Sequence, residues 1–135
     1  MIMEHEYRLE VRGYELDSFG HVNNAVYLNY LEAARWDLCS KLNLTDYNES
    51  NELFIVVIET NIKYIRELKL FDKVLIKTEL TYEDDYLIFK HNIYNEVTKR
   101  KASVAKSKMV LVSKQRIIYE IPQFIKDKLD ICAYG

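Results

Sequence analysis

The residues best equipped for chemistry run Glu15-Leu16-Asp17-Ser18-Phe19-Gly20-His21-Val22-Asn23-Asn24. A carboxylate, a glycine, an imidazole and two carboxamides are crowded directly in front of a long apolar segment. The first turn of a helix leaves backbone N–H groups without intrahelical acceptors and carries the positive end of the helix dipole, so it stabilises negative charge. Gly20, one of three glycines in the chain, permits a backbone conformation that other residues resist. A tight loop can therefore bring Asp17 near a helix that begins at Asn23 or Asn24. A carboxylate facing such donors can attack a carbonyl carbon or deprotonate a water while the N–H groups stabilise the developing oxyanion. That is acyl-transfer hydrolysis. Asp, Ser and Asn before a helix also serve as turn formers and caps, and spacing alone leaves both roles open.

The elements that must hold this loop follow from hydrophobic periodicity. Tyr7, Leu9 and Val11 alternate with Arg8, Glu10 and Arg12, the period of a strand with one buried face. From about Ala25 to Leu42, Tyr27, Leu31, Ala34 and Leu38 recur at spacings of three and four, with Val26, Tyr30, Ala33 and Trp36 narrowing the polar stripe that holds Asn29, Glu32 and Lys41. So apolar a helix is expected to be wrapped by something. The polar segment 43–52 breaks it and reads as a loop. The β-branched and aromatic run 53–68 is a strand candidate. Three more strands are expected at about Lys73 to Tyr82, Tyr86 to Thr98 and Ala102 to Ser113, joined by short polar connections that suit antiparallel neighbours. Pro122 opens a short amphipathic helix, as proline suits a first helical turn. The order predicts one α+β domain over residues 1–135, a long helix against a five-stranded antiparallel sheet. One long helix cannot cover both faces of that sheet, so its outer face is polar or is buried by a second subunit, and oligomerisation is expected.

Residues 14–35, from Tyr14 through Asp17 and Gly20-His21-Val22-Asn23-Asn24 to Arg35, resemble the signature of hot-dog-fold thioesterases of the 4-hydroxybenzoyl-CoA thioesterase type, which include acyl-CoA and plant acyl-lipid members. The resemblance extends loosely over the whole chain. The Glu-Leu-Asp order at 15–17 is similar to the plant variant rather than to members with a Thr-Asp pair. The family implies a hot-dog fold and hydrolysis of an acyl-CoA or acyl carrier protein thioester to acid and thiol, with no cofactor. It makes Asp17 the catalytic base or nucleophile and the backbone N–H of Asn24 the oxyanion donor. It places Gly20, His21, Asn23 and Tyr27 around the substrate. Family sites lie between two protomers, which implies a homodimer or homotetramer. The segment 45–52 is then a candidate cap for an acyl tunnel, and a facing strand is expected to add polar groups. Glu59 and Asn61 share a face there, although an edge position explains them equally well.

Composition narrows the classes further. The chain is 49% hydrophobic and 30% charged with a net charge of -2, which fits a globular domain and disfavours nucleic-acid binding. No apolar run reaches the length of a membrane span and no signal pattern opens the chain, so a cytoplasmic protein is expected. Cys39 and Cys132 lack metal or redox spacing, and no metal motif includes His5 or His91. No phosphate-binding glycine loop or serine-nucleophile elbow occurs. The acid-free stretch Lys99 to Arg116, with Lys106 and Lys108 at its centre, suits either coenzyme A phosphates or an acidic carrier protein, or is a solvated strand face. Two rivals remain: a hot-dog hydratase or dehydratase, and a non-catalytic module that binds acyl thioesters.

Overall fold

The structure is a computed structural model that describes residues 3–134, with side chains over 4–131; the Cys132 side chain lies outside that range. Its elements are β1 (Met3–Glu10), a single 3-10 turn at Gly13–Glu15, α1 (Asn24–Lys41), α2 (Leu44–Ser50), β2 (Phe54–Tyr64), β3 (Lys73–Glu83), β4 (Tyr86–Asn95), β5 (Lys101–Val112), β6 (Ile118–Tyr119) and α3 (Gln123–Tyr134). The expected α+β order is present. The strands form one antiparallel sheet in the order β1-β3-β4-β5-β2, with β6 paired to β5. A two-residue sixth strand is the addition to the five expected.

Alternation decides which side of the sheet meets α1. Along β5, Ser103, Ala105, Ser107 and Met109 are buried, whereas Lys106 is exposed and Val104 and Lys108 are half-buried. Tyr27, Tyr30, Leu31, Ala34, Leu38 and Cys39 are the buried residues of α1. Burying each large apolar side chain of this kind contributes about 1.5–3 kcal/mol, so packing rather than propensity fixes the helix in the curve of the sheet. The outer face is largely polar, with Glu4, Glu6, Arg8, Lys77, Lys90 and Lys106 exposed.

A polar row crosses the inner face. His5 pairs with Thr78, Thr78 with His91 and His91 with Ala105, all in one rung. Thr78 Oγ1 lies 2.8 Å from His91 Nδ1, and His5 Nε2 lies 2.6 Å from Asp37 Oδ2 of α1. Burial, with Arg35 and His5 nearby, pushes the His91 imidazole down to about 3. The row divides the core in two. Tyr27, Tyr30 and Leu31 pack with Ile76 and Ile93 on one side, and Leu38 and Cys39 pack with Leu80 and Phe89 on the other.

One expectation is corrected and one open choice is decided. Residues 44–50 form a helix rather than a loop. Asn43, at φ 62 in the left-handed region, turns the chain out of α1, and Leu44, Tyr47 and Asn48 at spacings of three and four give the new helix an inner face. In β2 the register shifts by one residue between Val57 and Glu59, a bulge at Ile58. Beyond it Thr60 stands opposite buried Ser107 and bonds it at 3.1 Å, so Glu59 and Asn61, opposite Lys108 and Lys106, face outward.

Candidate active site

The segment before α1 folds as a small hairpin. Gly20 N–H donates to Asp17 O at 3.0 Å, Asp17 N–H donates to His21 O at 2.8 Å, and Leu16 bridges Val22. Gly20 has φ +78 and open space around its absent side chain, so the glycine is required by conformation and not by crowding. Asp17 organises the tip itself: its Oδ1 accepts from the N–H of Phe19 at 2.9 Å and of His21 at 3.1 Å. Its Oδ2 accepts no hydrogen bond among the described residues. The carboxylate is half-buried, with one oxygen fixed by the loop and the other open.

The hairpin is tied to its surroundings at its base. Val22 N–H donates to Leu68 O at 2.8 Å, His21 bridges Lys69, and Asn23 N–H donates to Glu15 O at 2.9 Å. Glu15 opens the motif in sequence but has no role expected of it there. It is 5% exposed. Its Oε1 accepts from Arg12 N–H at 2.7 Å and from the Tyr30 hydroxyl at 2.8 Å, and its Oε2 accepts from the Arg12 guanidinium at 3.2 Å. This buried carboxylate joins the loop to the second turn of α1. Burial and the Glu15 hydrogen bond together raise the Tyr30 phenol well above its ordinary range, so it stays a donor.

At the helix start, Asn23 is the cap: its Oδ1 accepts from Ala25 N–H at 3.0 Å, and its carbonyl accepts from Val26 N–H at 2.9 Å. The N–H of Asn24, between these two bonded groups, has no acceptor among the described residues. Its carbonyl accepts from the Tyr64 hydroxyl at 3.0 Å. Tyr27 is 3% exposed, and burial pushes its phenol up to about 12. Its ring meets that of Tyr64 edge-on at 5.1 Å, so it supports the first turn from beneath. The structure therefore gathers Asp17, Gly20, His21, Asn23 and Asn24 into one loop and helix start, with Tyr27 behind it.

Asn24, Leu28, Glu32 and Trp36 are exposed at successive spacings of four, one stripe of the helix. Strand β2 passes beside it, with Tyr64 at the Asn24 end. Farther along α1, Glu32, Arg35, Trp36 and Cys39 of α1, Ile55 and Val57 of β2 and residues of α2 line a half-open cavity of about 560 Å³. The volume lies in the range of small-molecule sites. Cys39 is buried, and burial pushes its thiol up to about 11, which makes it a neutral wall rather than a nucleophile. Lys106 and Lys108 lie on the outer face; the Lys108 ammonium sits 4.1 Å from the centre of the Tyr86 ring. Among the described residues no group of acidic, histidine or cysteine side chains has the arrangement of a metal site, and no helix is long and apolar enough to cross a membrane.

The chain is 40% identical over 73 residues to the long-chain acyl-CoA thioesterase FadM of Escherichia coli, over 54% of this chain and 55% of that protein. It is 32% identical over 127 residues to the chloroplastic acyl-acyl carrier protein thioesterase ATL3 of Arabidopsis thaliana, over 92% of this chain and 66% of that protein. The chain thus spans 55% and 66% of the length of these two curated relatives. The 1,4-dihydroxy-2-naphthoyl-CoA thioesterase Slr0204 of Synechocystis superposes with a TM-score of 0.85 over 95% of this chain and 96% of that one, at 14% identity, which shows the fold alone. Residues 11–129 match the sequence profile of the Thioesterase-like superfamily. With its hot-dog architecture of one long helix held in an antiparallel sheet, the chain belongs to that superfamily.

Proposed function

We propose that this protein hydrolyses acyl thioesters of coenzyme A or acyl carrier protein to a free acid and a thiol. The observation that carries this reading is the unpaired N–H of Asn24 at the start of α1, next to a loop whose aspartate keeps one oxygen open. The names of FadM and ATL3 supply the substrate class. In the hydrolytic step Asp17 Oδ2 takes a proton from water as the water oxygen attacks the thioester carbon. The carbonyl oxygen becomes an oxyanion held by the Asn24 N–H and the positive end of the α1 dipole. Collapse of that intermediate breaks the C–S bond, and the departing sulfur takes the proton from Asp17. Direct attack by Asp17 would instead give a mixed anhydride, which water then cleaves. An unlabelled first product in a single turnover in heavy-oxygen water identifies the anhydride route, because water that cleaves the anhydride at the Asp17 carbonyl leaves its oxygen on the enzyme.

The acyl chain lies along the exposed stripe of α1 from Asn24 toward the cavity at Trp36, whose wall includes residues of α2. The working unit is a dimer. Support comes from β2, the last strand of the sheet, which exposes Phe54, Val56, Val57 and Ile58, with Phe54 and Val57 beside exposed Trp36 of α1. Such a contiguous apolar area marks an interface. A second copy laid on it would cover the exposed stripe of α1, and light scattering at micromolar concentration is expected to give at least twice the chain mass.

The test of function is release of free thiol from acyl-CoA and acyl carrier protein substrates across chain lengths. Thiol release that falls with loss of the Asp17 carboxylate supports the reading. Saturable binding without thiol release would make the protein a binding module, and water addition to an enoyl thioester would make it a hydratase.

A further inference from the structure

Charge on the outer face of the sheet is divided by strand. On β1 and β3 the outward acids Glu4, Glu6 and Glu79 accompany Arg8 and Lys77, and Arg8 is paired with Glu6 and Glu96. On β4, β5 and β2 the balance changes. Lys63, Lys90, Lys101, Lys106 and Lys108 point outward there, and Glu59 is the single carboxylate of those three strands. None of the five lysines has a carboxylate within ion-pair distance among the described residues, although Glu79 of β3 stands on the far side of Lys90. Lys63, Lys90 and Lys106 are exposed, and the Lys101 and Lys108 ammonium groups lie 5.8 Å and 4.1 Å from the centres of the Tyr94 and Tyr86 rings. Lys90 stands directly opposite Lys106, a like-charge pair that works against the sheet and that an anion laid across it would relieve. In a chain of net charge -2, this face is a concentrated positive field.

We propose that the outer face of β4, β5 and β2 docks an acidic protein surface, that of the carrier protein which presents the acyl thioester. The inference deepens the thioesterase reading and rests on it for the cargo. Shape favours a protein over the phosphates of free coenzyme A. Lys106 and Lys108 on β5 are roughly 6.6 Å apart, close to the rise of roughly 6 Å between carboxylates four residues apart on a helix. From Lys101 to Lys108 the strand runs roughly 20 Å, a span that an acidic helix can follow and a single diphosphate cannot. A lipid surface fits less well, because the outward apolar side chains between the lysines, Ile88 and Val104, are buried and half-buried and offer nothing to insert. Position agrees. Lys63 adjoins Tyr64, whose hydroxyl donates to Asn24 O at 3.0 Å, so the cationic face ends where β2 touches the start of α1.

The experiment titrates the full chain with a purified acyl carrier protein that holds a non-hydrolysable dodecyl thioether, and follows binding by fluorescence anisotropy of the labelled carrier. It compares the unaltered chain with Lys106→Glu, with the double variant Lys90→Glu/Lys106→Glu, and with Lys114→Glu, a lysine of the β5–β6 turn that is already paired with Glu52. Affinity of the unaltered chain is expected to fall as salt is raised. The double variant is expected to bind about tenfold more weakly at low salt and with a flatter salt dependence, Lys106→Glu about threefold more weakly, and Lys114→Glu within about twofold of the unaltered chain. In turnover, kcat/KM for the dodecanoyl carrier protein should fall in parallel, through KM, while that for dodecanoyl-CoA stays within about twofold. An equal loss with dodecanoyl-CoA assigns the lysines to its phosphates and overturns the proposal. An equal loss in Lys114→Glu overturns it too, since net charge rather than this face then governs. No carrier binding by the unaltered chain, or unchanged binding in the double variant, also overturns it, and co-sedimentation with phosphatidylglycerol vesicles that the double variant loses would then give the face to lipid. Because the titration needs no turnover, the two readings fail separately: absence of thiol release from every acyl thioester sinks the hydrolase reading, whereas hydrolysis with carrier binding indifferent to these lysines sinks only this one.

Discussion

Two carboxylates stand two residues apart in the loop before α1 and live in opposite surroundings. Glu15, at the base, is buried and has both oxygens bonded, to the Arg12 backbone and guanidinium and to the Tyr30 hydroxyl. Asp17, at the tip, spends one oxygen on its own turn and keeps the other open. A saturated acid can only hold structure, whereas an acid with a spare, partly solvated oxygen can also accept a proton or attack. The difference teaches how one short loop separates rigidity from reactivity: the base fixes position so that the tip need not.

The largest expected effect breaks the comparison if the roles are misassigned. Asp17→Asn keeps the size and one acceptor for the turn but removes the proton acceptor, so kcat/KM for thiol release should fall by roughly a hundredfold to ten-thousandfold with the urea midpoint close to wild type. A folded Asp17→Asn protein with near-normal turnover makes the aspartate a turn former only. Glu15→Gln should show the reverse. Replacing a buried charged acceptor costs about 2 kcal/mol, read as a lower urea midpoint, and the activity lost should be smaller than for Asp17→Asn. If Glu15→Gln leaves stability untouched, the base is not the anchor.

Acid titration of stability sharpens the same contrast, because His91 must be separated from the loop acids first. Its folded value of about 3 lies below the ordinary 6.5. The unfolded chain therefore binds the proton more readily between those two values, and the stability present above pH 6.5 is lost as pH falls toward 3. With Arg35 and His5 facing it as the charged or titratable neighbours that add to burial, the slope should approach about 1.4 kcal/mol per pH unit. His91→Gln, which keeps a partner for Thr78, should flatten that slope; an unchanged urea midpoint profile would assign acid sensitivity elsewhere. At the tip, Gly20→Ala forces a side chain into φ +78 and should cost about 1–2 kcal/mol together with part of the activity. The smallest change belongs to Asn24→Ala. Its proposed contribution is a backbone N–H that survives truncation, so kinetics should stay within a few-fold of wild type, and a loss as large as that of Asp17→Asn would mean the side chain itself touches the substrate.

The parts of the molecule legible in sequence are those where one period runs long. Alternation in β1, β3 and β5 and the spacing of Tyr27, Leu31, Ala34 and Leu38 gave the strands and α1 to within a few residues. Asp17 and the Asn pair stood out because their types are concentrated in one short loop. What escaped depends on partners distant in the chain. Glu15 looked like one more polar loop residue, since Tyr30, which gives it a role, looked like plain core. His5 and His91 belong to no motif in the sequence, yet both flank Thr78 in one rung of the sheet. The helix at 44–50 hid inside a polar composition, with an inner face of only Leu44, Tyr47 and Asn48. Glu59 and Asn61 were ambiguous because the bulge at Ile58 resets which side of β2 points inward.

That bulge also bears on what this protein avoids becoming. A long apolar edge strand is a template on which further chains can add without end. An extra residue at Ile58 breaks β2 into two short stretches whose twist differs, so a flat, full-length ladder with a neighbouring strand cannot form on it. Pairing restricted to one stretch favours two copies related by a twofold axis, each covering the other, which leaves no free end for growth. Deleting Ile58 would restore one uninterrupted register with β5 and keep the inward residues inward. The deletion would therefore be expected to cost little in folding and much in colloidal stability, with fibrous or amorphous material accumulating where the unaltered chain remains in solution.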